Sequence, residues 1–175
     1  MTRTVPDGPS GLRTDTSATR FREAMASFPS GVTIVTTADW EGRWWGFTAT
    51  SFCALSLEPP LVLVCLAKDA QCHSAFERAD SWVVHVLGAE HADVALRFAT
   101  KGADKFSGGR FREGSRSHPL LPEAAAVLEC DTFDRYDGGD HTILVGRVHD
   151  TLLNRIDPAV YFRRGFHTVS KEEQT

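Results

Sequence analysis

His141 stands directly after the turn sequence DGGD and opens the strand-like run TILVG, so it falls at a hairpin rim where a side chain can reach a bound ligand. An unperturbed imidazole pKa near ~6.5 makes both protonation states accessible, which suits a group that holds or delivers a proton. A histidine that only stabilises its turn is the ordinary alternative. The run GFTATSFCALSLEPP sets Thr48, Thr50, Ser51 and Ser56 where a pure core strand would carry Val, Ile and Leu, because an unpaired buried hydroxyl costs free energy. Within it, FTATSF offers the Ala49 backbone and the Thr48, Thr50 and Ser51 hydroxyls to the polar edge of a ligand, while Phe47 and Phe52 pack among apolar neighbours. Threonines that simply suit an antiparallel strand are the competing reading. KGADKF places the Lys105 cation and the Phe106 ring on a glycine-flanked loop, which taken alone reads as a mobile surface loop.

The rest of the composition narrows the chemistry by exclusion. Four cysteines, Cys53, Cys65, Cys72 and Cys130, include no CxxC pair and read as small reduced core residues. Seven histidines with no HxH and no HExxH argue against a protein-bound metal. A net charge of −4 and a pI near 6.0, without a basic run, argue against nucleic acid as a partner. No apolar window reaches the length of a membrane span, and the N-terminus has no apolar centre for a signal peptide, so no membrane and a cytoplasmic location are expected. Chemistry here requires a borrowed cofactor or an ordinary acid/base group.

The elements that must position these residues follow from periodicity. The 175 residues, 42% hydrophobic and 24% charged, suit one well-buried core. Residues 1–15, rich in Pro, Gly, Ser and Thr, read as a disordered arm, with a folded domain over 16–170 and a short tail at 171–175. Phe21, Met25 and Phe28 share one face of a helix predicted from Thr16 to Phe28. Two strands meet around DWEGR, and Pro59 and Pro60 end the second. LVLVCL and SWVVHVL read as strands around a short helix in CHSAFERA, and EHADVALRFAT as a further helix. AVLECDTFDRY and HTILVGRVHDTLL flank DGGD as a second hairpin. The total is about six strands in hairpin order with a few short helices, and GxGxxG is missing. An antiparallel barrel is expected, not a doubly wound sheet. Trp40, Trp44 and Trp45 beside a turn suit either an interface patch or the core.

The ordered motifs FREAMASFPSGVTIVTT, GFTATSFCALSLEPPLVLVCL, RFATKGADKF, GGDHTILVGRV and YFRRGFH resemble the flavin reductase-like family, over roughly Phe21 to His167. The resemblance implies a mainly β fold, a six-stranded antiparallel split β-barrel of Greek-key type with short peripheral helices, in a homodimer. It implies an NAD(P)H:flavin oxidoreductase that moves a hydride from NADH or NADPH to FMN or FAD and releases reduced flavin to a partner monooxygenase. By the same resemblance, Thr48, Ala49, Thr50, Ser51, Phe52 and Ser56 line the flavin, and Lys68 matches a phosphate-side cation. Lys105 and Phe106 lie near the flavin, and His141 contacts the nicotinamide. Ser30 and Gly31 are further candidate neighbours of the nicotinamide, since glycine permits close backbone approach. Ala54, Ala70 and Cys72 depart from positions that usually bear hydroxyls, which suits loose flavin binding. Two other readings are an FMN-retaining oxidoreductase of the same architecture acting on a small substrate, and a non-catalytic flavin- or haem-binding module.

Overall fold

The computed structural model describes residues 17–169. The arm expected over 1–15 and the tail over 171–175 lie outside the described residues. In chain order the elements are α1 (Ala18–Ala26), β1 (Ser30–Gly31), β2 (Thr33–Ala38), β3 (Trp44–Ala49), β4 (Cys53–Ser56), β5 (Leu61–Ala67), α2 (His73–Arg78), β6 (Ser81–Val86), α3 (Ala92–Ala99), β7 (Arg112–Glu113), β8 (Pro119–Leu120), β9 (Ala126–Gly138), β10 (His141–Leu153), β11 (Ala159–Phe162) and β12 (Gly165–Thr168).

The main sheet is antiparallel and has seven strands in the order β3-β2-β6-β9-β10-β5-β4. The fold is mainly β as expected, but the expected six-stranded split barrel is corrected: the sheet has seven strands and its edge strands β3 and β4 do not pair with each other. The run WWGFTATSFCALS does not form one strand: it breaks at Thr50–Phe52, its first half pairing with β2 and its second half with β5. The two halves are therefore the opposite edges of the sheet. Flat, those edges would stand ~29 Å apart at ~4.8 Å per strand. The chain from Ala49 to Cys53 spans at most ~14 Å, so the sheet has to curl until its edges nearly meet. Ser51 bridges the seam, its hydroxyl accepting from Cys65 N at 3.0 Å and lying 3.4 Å from Cys65 O. The seam stays open above that point. β1, β11 and β12 form a separate three-stranded sheet that the sequence reading did not include.

Two apolar clusters sit on the two faces of the curled sheet. Val35, Phe47, Val64, Phe76, Trp82 and Cys130 belong to the inner one, where Phe76 of α2 meets Phe47 edge-on at 5.0 Å. Ile34, Val83, Leu87, Phe98 and Phe111 belong to the outer one, which α3 covers. β2 is buried on both faces from Thr33 to Thr37, and β6 from Ser81 to His85, so neither strand keeps a solvent-facing side. The buried threonines of β2 are satisfied across strands: Thr33 donates to Ala49 O at 3.0 Å, Thr36 to Pro119 O at 2.7 Å and Thr37 to Ser81 O at 2.9 Å.

Two details of the sequence reading change. α1 spans a shorter range than expected and buries none of its residues, so Phe21, Met25 and Phe28 face outward. Cys72 and Cys130 are buried thiols as read, whereas Cys53 lies exposed on the edge strand β4.

Candidate functional site

The open part of the seam is a cleft of about 790 Å³, within the usual range for small-molecule sites. One wall is β3 from Trp44 to Thr48, the opposite wall is the end of β5 from Cys65 to Ala67, and two loops, Asp69–Cys72 and Ala99–Phe106, close the sides. It forms there because β4 pairs with β5 only as far as Leu63, leaving the upper edge of β5 uncovered.

The aromatic wall is built from neighbours in sequence and in space. Phe106 meets Trp44 at 5.4 Å, Phe98 at 5.1 Å and Phe111 at 5.3 Å between ring centroids, all edge-on. Trp45 donates its indole N–H to Asp39 Oδ2 at 2.8 Å, and the Arg43 guanidinium lies over its ring at 4.3 Å. That hydrogen bond holds the Asp39 carboxyl below the usual carboxylate range. Gly46 keeps β3 close to α3: a Cβ there would stand 2.7 Å from Phe98 Cε1 and 3.0 Å from the Val35 carbonyl.

Charge is gathered at the mouth. Lys101 pairs with Asp69 at 2.8 Å and holds its carboxyl below the ordinary range, while Gly102 N donates to Gln71 Oε1 at 2.9 Å. These two contacts fasten the loop after α3 to the loop before α2. Lys105 donates to the carbonyls of Phe98 and Thr100, and burial lowers its pKa. Burial pushes the Cys72 thiol up to about 11, so it is protonated at neutral pH and no nucleophile. His141, the first residue of β10, lies in register with Ala67 and contributes to the lining.

Of the residues singled out from sequence, the cleft brings together Thr48, Lys105, Phe106 and His141. Ala49, Thr50, Ser51, Phe52, Ser56 and Lys68 do not line it, and Ser56 pairs with Leu61 at the far end of β5. Lys68 instead pairs with Asp137 across to β9. Ser30 and Gly31 belong to β1 and pair with β11, also away from the lining. Two hydroxyls assigned to a ligand have protein partners: Thr48 donates to Ala95 O at 2.6 Å, and Ser51 holds Cys65 as described. Sequence reasoning missed Arg43, Phe98, Lys101 and Gln71 as lining residues and placed Trp44 and Trp45 elsewhere. The signal available for the tryptophans was WWGF itself, aromatic residues next to a glycine that lets a neighbour approach.

A Ser–His contact elsewhere is structural. Ser81 Oγ lies 2.7 Å from His118 Nε2, but His118 Nδ1 accepts from Ala38 N at 3.3 Å. The proton therefore sits on Nε2 and is given to the serine, the opposite of what a general base requires.

Fold and site together define a curled β-sheet protein with an open seam that carries aromatic rings on its walls and cations at its mouth. The chain belongs to the flavin reductase-like family, whose flavin reductase like domain matches residues 25–170. It is 47% identical over 147 residues to the actinorhodin polyketide dimerase of Streptomyces coelicolor, covering 83% of each chain. It is 43% identical to the NADH:riboflavin 5'-phosphate oxidoreductase of Streptomyces pristinaespiralis, covering 85% of this chain and 86% of that protein. The reductase subunit of a flavin-dependent monooxygenase from Rhodococcus jostii is 38% identical over 89% of this chain and 80% of its own. Among solved structures, the NADH:FAD oxidoreductase of Streptomyces globisporus C-1027, in complex with NAD and FAD fragments, superposes with a TM-score of 0.86 at 32% identity, over 94% of this chain and all of that one.

Proposed function

We infer that this chain is an NAD(P)H-dependent flavin reductase that transfers a hydride to FMN or FAD and releases the reduced flavin to a separate flavin-dependent monooxygenase. The observation that carries the reading is the seam cleft, with aromatic rings on its walls and Arg43, Lys101, Lys105 and His141 around it. A bound flavin supplies the hydride acceptor, and the reaction then depends on stacking the two rings within roughly 3–3.5 Å. The protein's contribution is position: β3 and Phe106 confine the ring, the cations at the mouth offset the phosphate charge, and His141 meets the nicotinamide end. Ala70 and Cys72 line the cleft without a hydroxyl, which supports flavin as a diffusible substrate instead of a retained group. A cytoplasmic location fits the four unpaired thiols. Among the described residues no helix is long and apolar enough to cross a membrane.

NADH and NADPH oxidation measured with FMN, FAD and riboflavin tests the assignment. Turnover of excess free flavin is expected, and His141→Asn should lower kcat/KM for the nicotinamide about tenfold, the worth of one lost hydrogen bond in a site, with flavin affinity little changed. A flavin that survives dialysis, with no turnover of added flavin, would reverse the conclusion.

A homodimer is also proposed. α1 has nine residues, a length at which an isolated helix is marginal in water, yet it buries none of its own side chains. A second copy covering Phe21, Met25 and Phe28 resolves this. Light scattering should return about twice the 19.3 kDa chain mass, and Phe21→Asp with Met25→Asp should move the value toward one. A wild-type monomer at micromolar concentration rules the dimer out.

A further inference from the structure

We propose that Asp140 is a positioning residue that fixes the tautomer of His141, keeping the proton on Nδ1 and the Nε2 lone pair free for the ligand in the cleft. The inference rests on the reading that His141 meets the nicotinamide. Asp140 and Gly139 form the two-residue turn between β9 and β10, with Gly139 at φ +76°, the backbone such a turn needs at its first central position. Lys68 N donates to Asp140 O at 2.9 Å, and the Lys68 ammonium grips Asp137 on the other arm of the hairpin. The peptide of Asp140 is thus pinned to the end of β5, where the cleft begins.

From that pinned position Asp140 Oδ1 lies 2.7 Å from His141 Nδ1. The contact holds the Asp140 carboxyl below its ordinary range, so at neutral pH the group is an ionised acceptor with no proton to give. Nδ1 must therefore be the donor. Among the described residues Nε2 has no hydrogen-bond partner, and His141 is part of the cleft lining. Nε2 then accepts from a carboxamide N–H in the neutral ring, or carries a proton inward once the ring is charged.

The charges around the pair mostly cancel. Asp69 is paired with Lys101 and Asp137 with Lys68, and Asp140 is the anion bonded to the ring. The Asp140 side chain is 94% exposed, so solvent screens its charge and the direct hydrogen bond is what matters. This separates two substitutions. Asp140→Asn keeps an oxygen that accepts from Nδ1–H, whereas Asp140→Ala leaves nothing.

The test is nitrogen-15 NMR of the histidines in the full chain, together with steady-state kinetics and flavin titration. Wild type and Asp140→Asn should show the Nδ1–H form at His141, and Asp140→Ala a shift toward Nε2–H. In Asp140→Ala, kcat/KM for NADH should fall ~tenfold with flavin affinity unchanged, and in Asp140→Asn less than ~threefold. An Nδ1–H tautomer that persists in Asp140→Ala overturns the proposal. So does wild-type kcat/KM in Asp140→Ala when His141→Asn is impaired. If His141→Asn is itself unimpaired, the nicotinamide reading of His141 fails, and the NMR comparison still decides whether Asp140 sets the tautomer.

Discussion

Gly146→Ala is expected to destabilise the protein by about 2–3 kcal/mol, the upper part of the range for forcing extra atoms into a packed core. A Cβ at Gly146 would stand 2.5 Å and 2.8 Å from Cζ2 and Cη2 of Trp82, and 2.9 Å from the Cβ of Cys130. None of these is the loose end of a flexible chain. Trp82 is fully buried, and the bulge between Val145 and Gly146 already fixes the register of β10 against β9. Backbone strain is not the cause, because Gly146 is not among the residues with positive φ. The two closest contacts are with the six-membered part of the indole, which gives the prediction its control: Trp82→Phe removes those atoms and leaves only the Cys130 Cβ contact. In a double-mutant cycle followed by urea unfolding, Gly146→Ala should cost clearly less in the Trp82→Phe background than in the wild type. Equal costs in the two backgrounds would show that the indole does not dictate the glycine.

The same strand shows why some of this architecture is legible in sequence and some is not. Hairpins around DWEGR and DGGD could be read because their signals are local: a permissive glycine between two runs of strand formers. His141 was placed at the rim by the same logic, and the structure puts it in the cleft lining. The break at Thr50–Phe52 was not legible, because nothing in WWGFTATSFCALS marks where the chain stops pairing with β2 and starts pairing with β5. That division is decided by the curl of the whole sheet, a non-local property. The hydroxyls suffered from the same blindness. The residue type shows that a half-buried Thr48 needs a partner, but not that α3 brings the Ala95 carbonyl to 2.6 Å.

Cations at the site were legible only as candidates. Lys68 and Lys101 look alike in sequence, each next to an aspartate or a glycine. The structure separates them: Lys68 and Asp69 both lie in the turn after β5, where Lys68 pairs with Asp137 of β9 while Asp69 lines the cleft and pairs with Lys101. The family resemblance carried Lys68 forward by position, and position in an alignment does not say which way a side chain points.

Acid should unfold the protein in a window set by His85. This histidine is fully buried on β6, and its Nδ1–H donates to the Ile34 carbonyl at 3.0 Å. Its Nε2 is buried without a hydrogen-bond partner, the ring standing perpendicular to Phe111 at 5.8 Å between centroids. Burial lowers its pKa from 6.5 to about 4, only partly opposed by the Ile34 carbonyl. Between those values the unfolded chain binds a proton that the folded chain refuses, so stability falls as pH drops from about 6.5 and the loss is complete by about 4. The gap corresponds to about 3 kcal/mol. His118, whose pKa burial also lowers, acts in the same direction. The exposed carboxylates with depressed values, such as Asp69 and Asp140, lose their contribution only at lower pH, so the two effects are separable. Urea midpoints measured from pH 7.5 down to 4.5 should fall steeply in the wild type and much less in His85→Gln, whose amide can still donate to Ile34 O without ever taking a proton. Equal slopes in the two proteins would acquit His85, and so would an imidazole signal from His85 that titrates near pH 6.5 in the folded state.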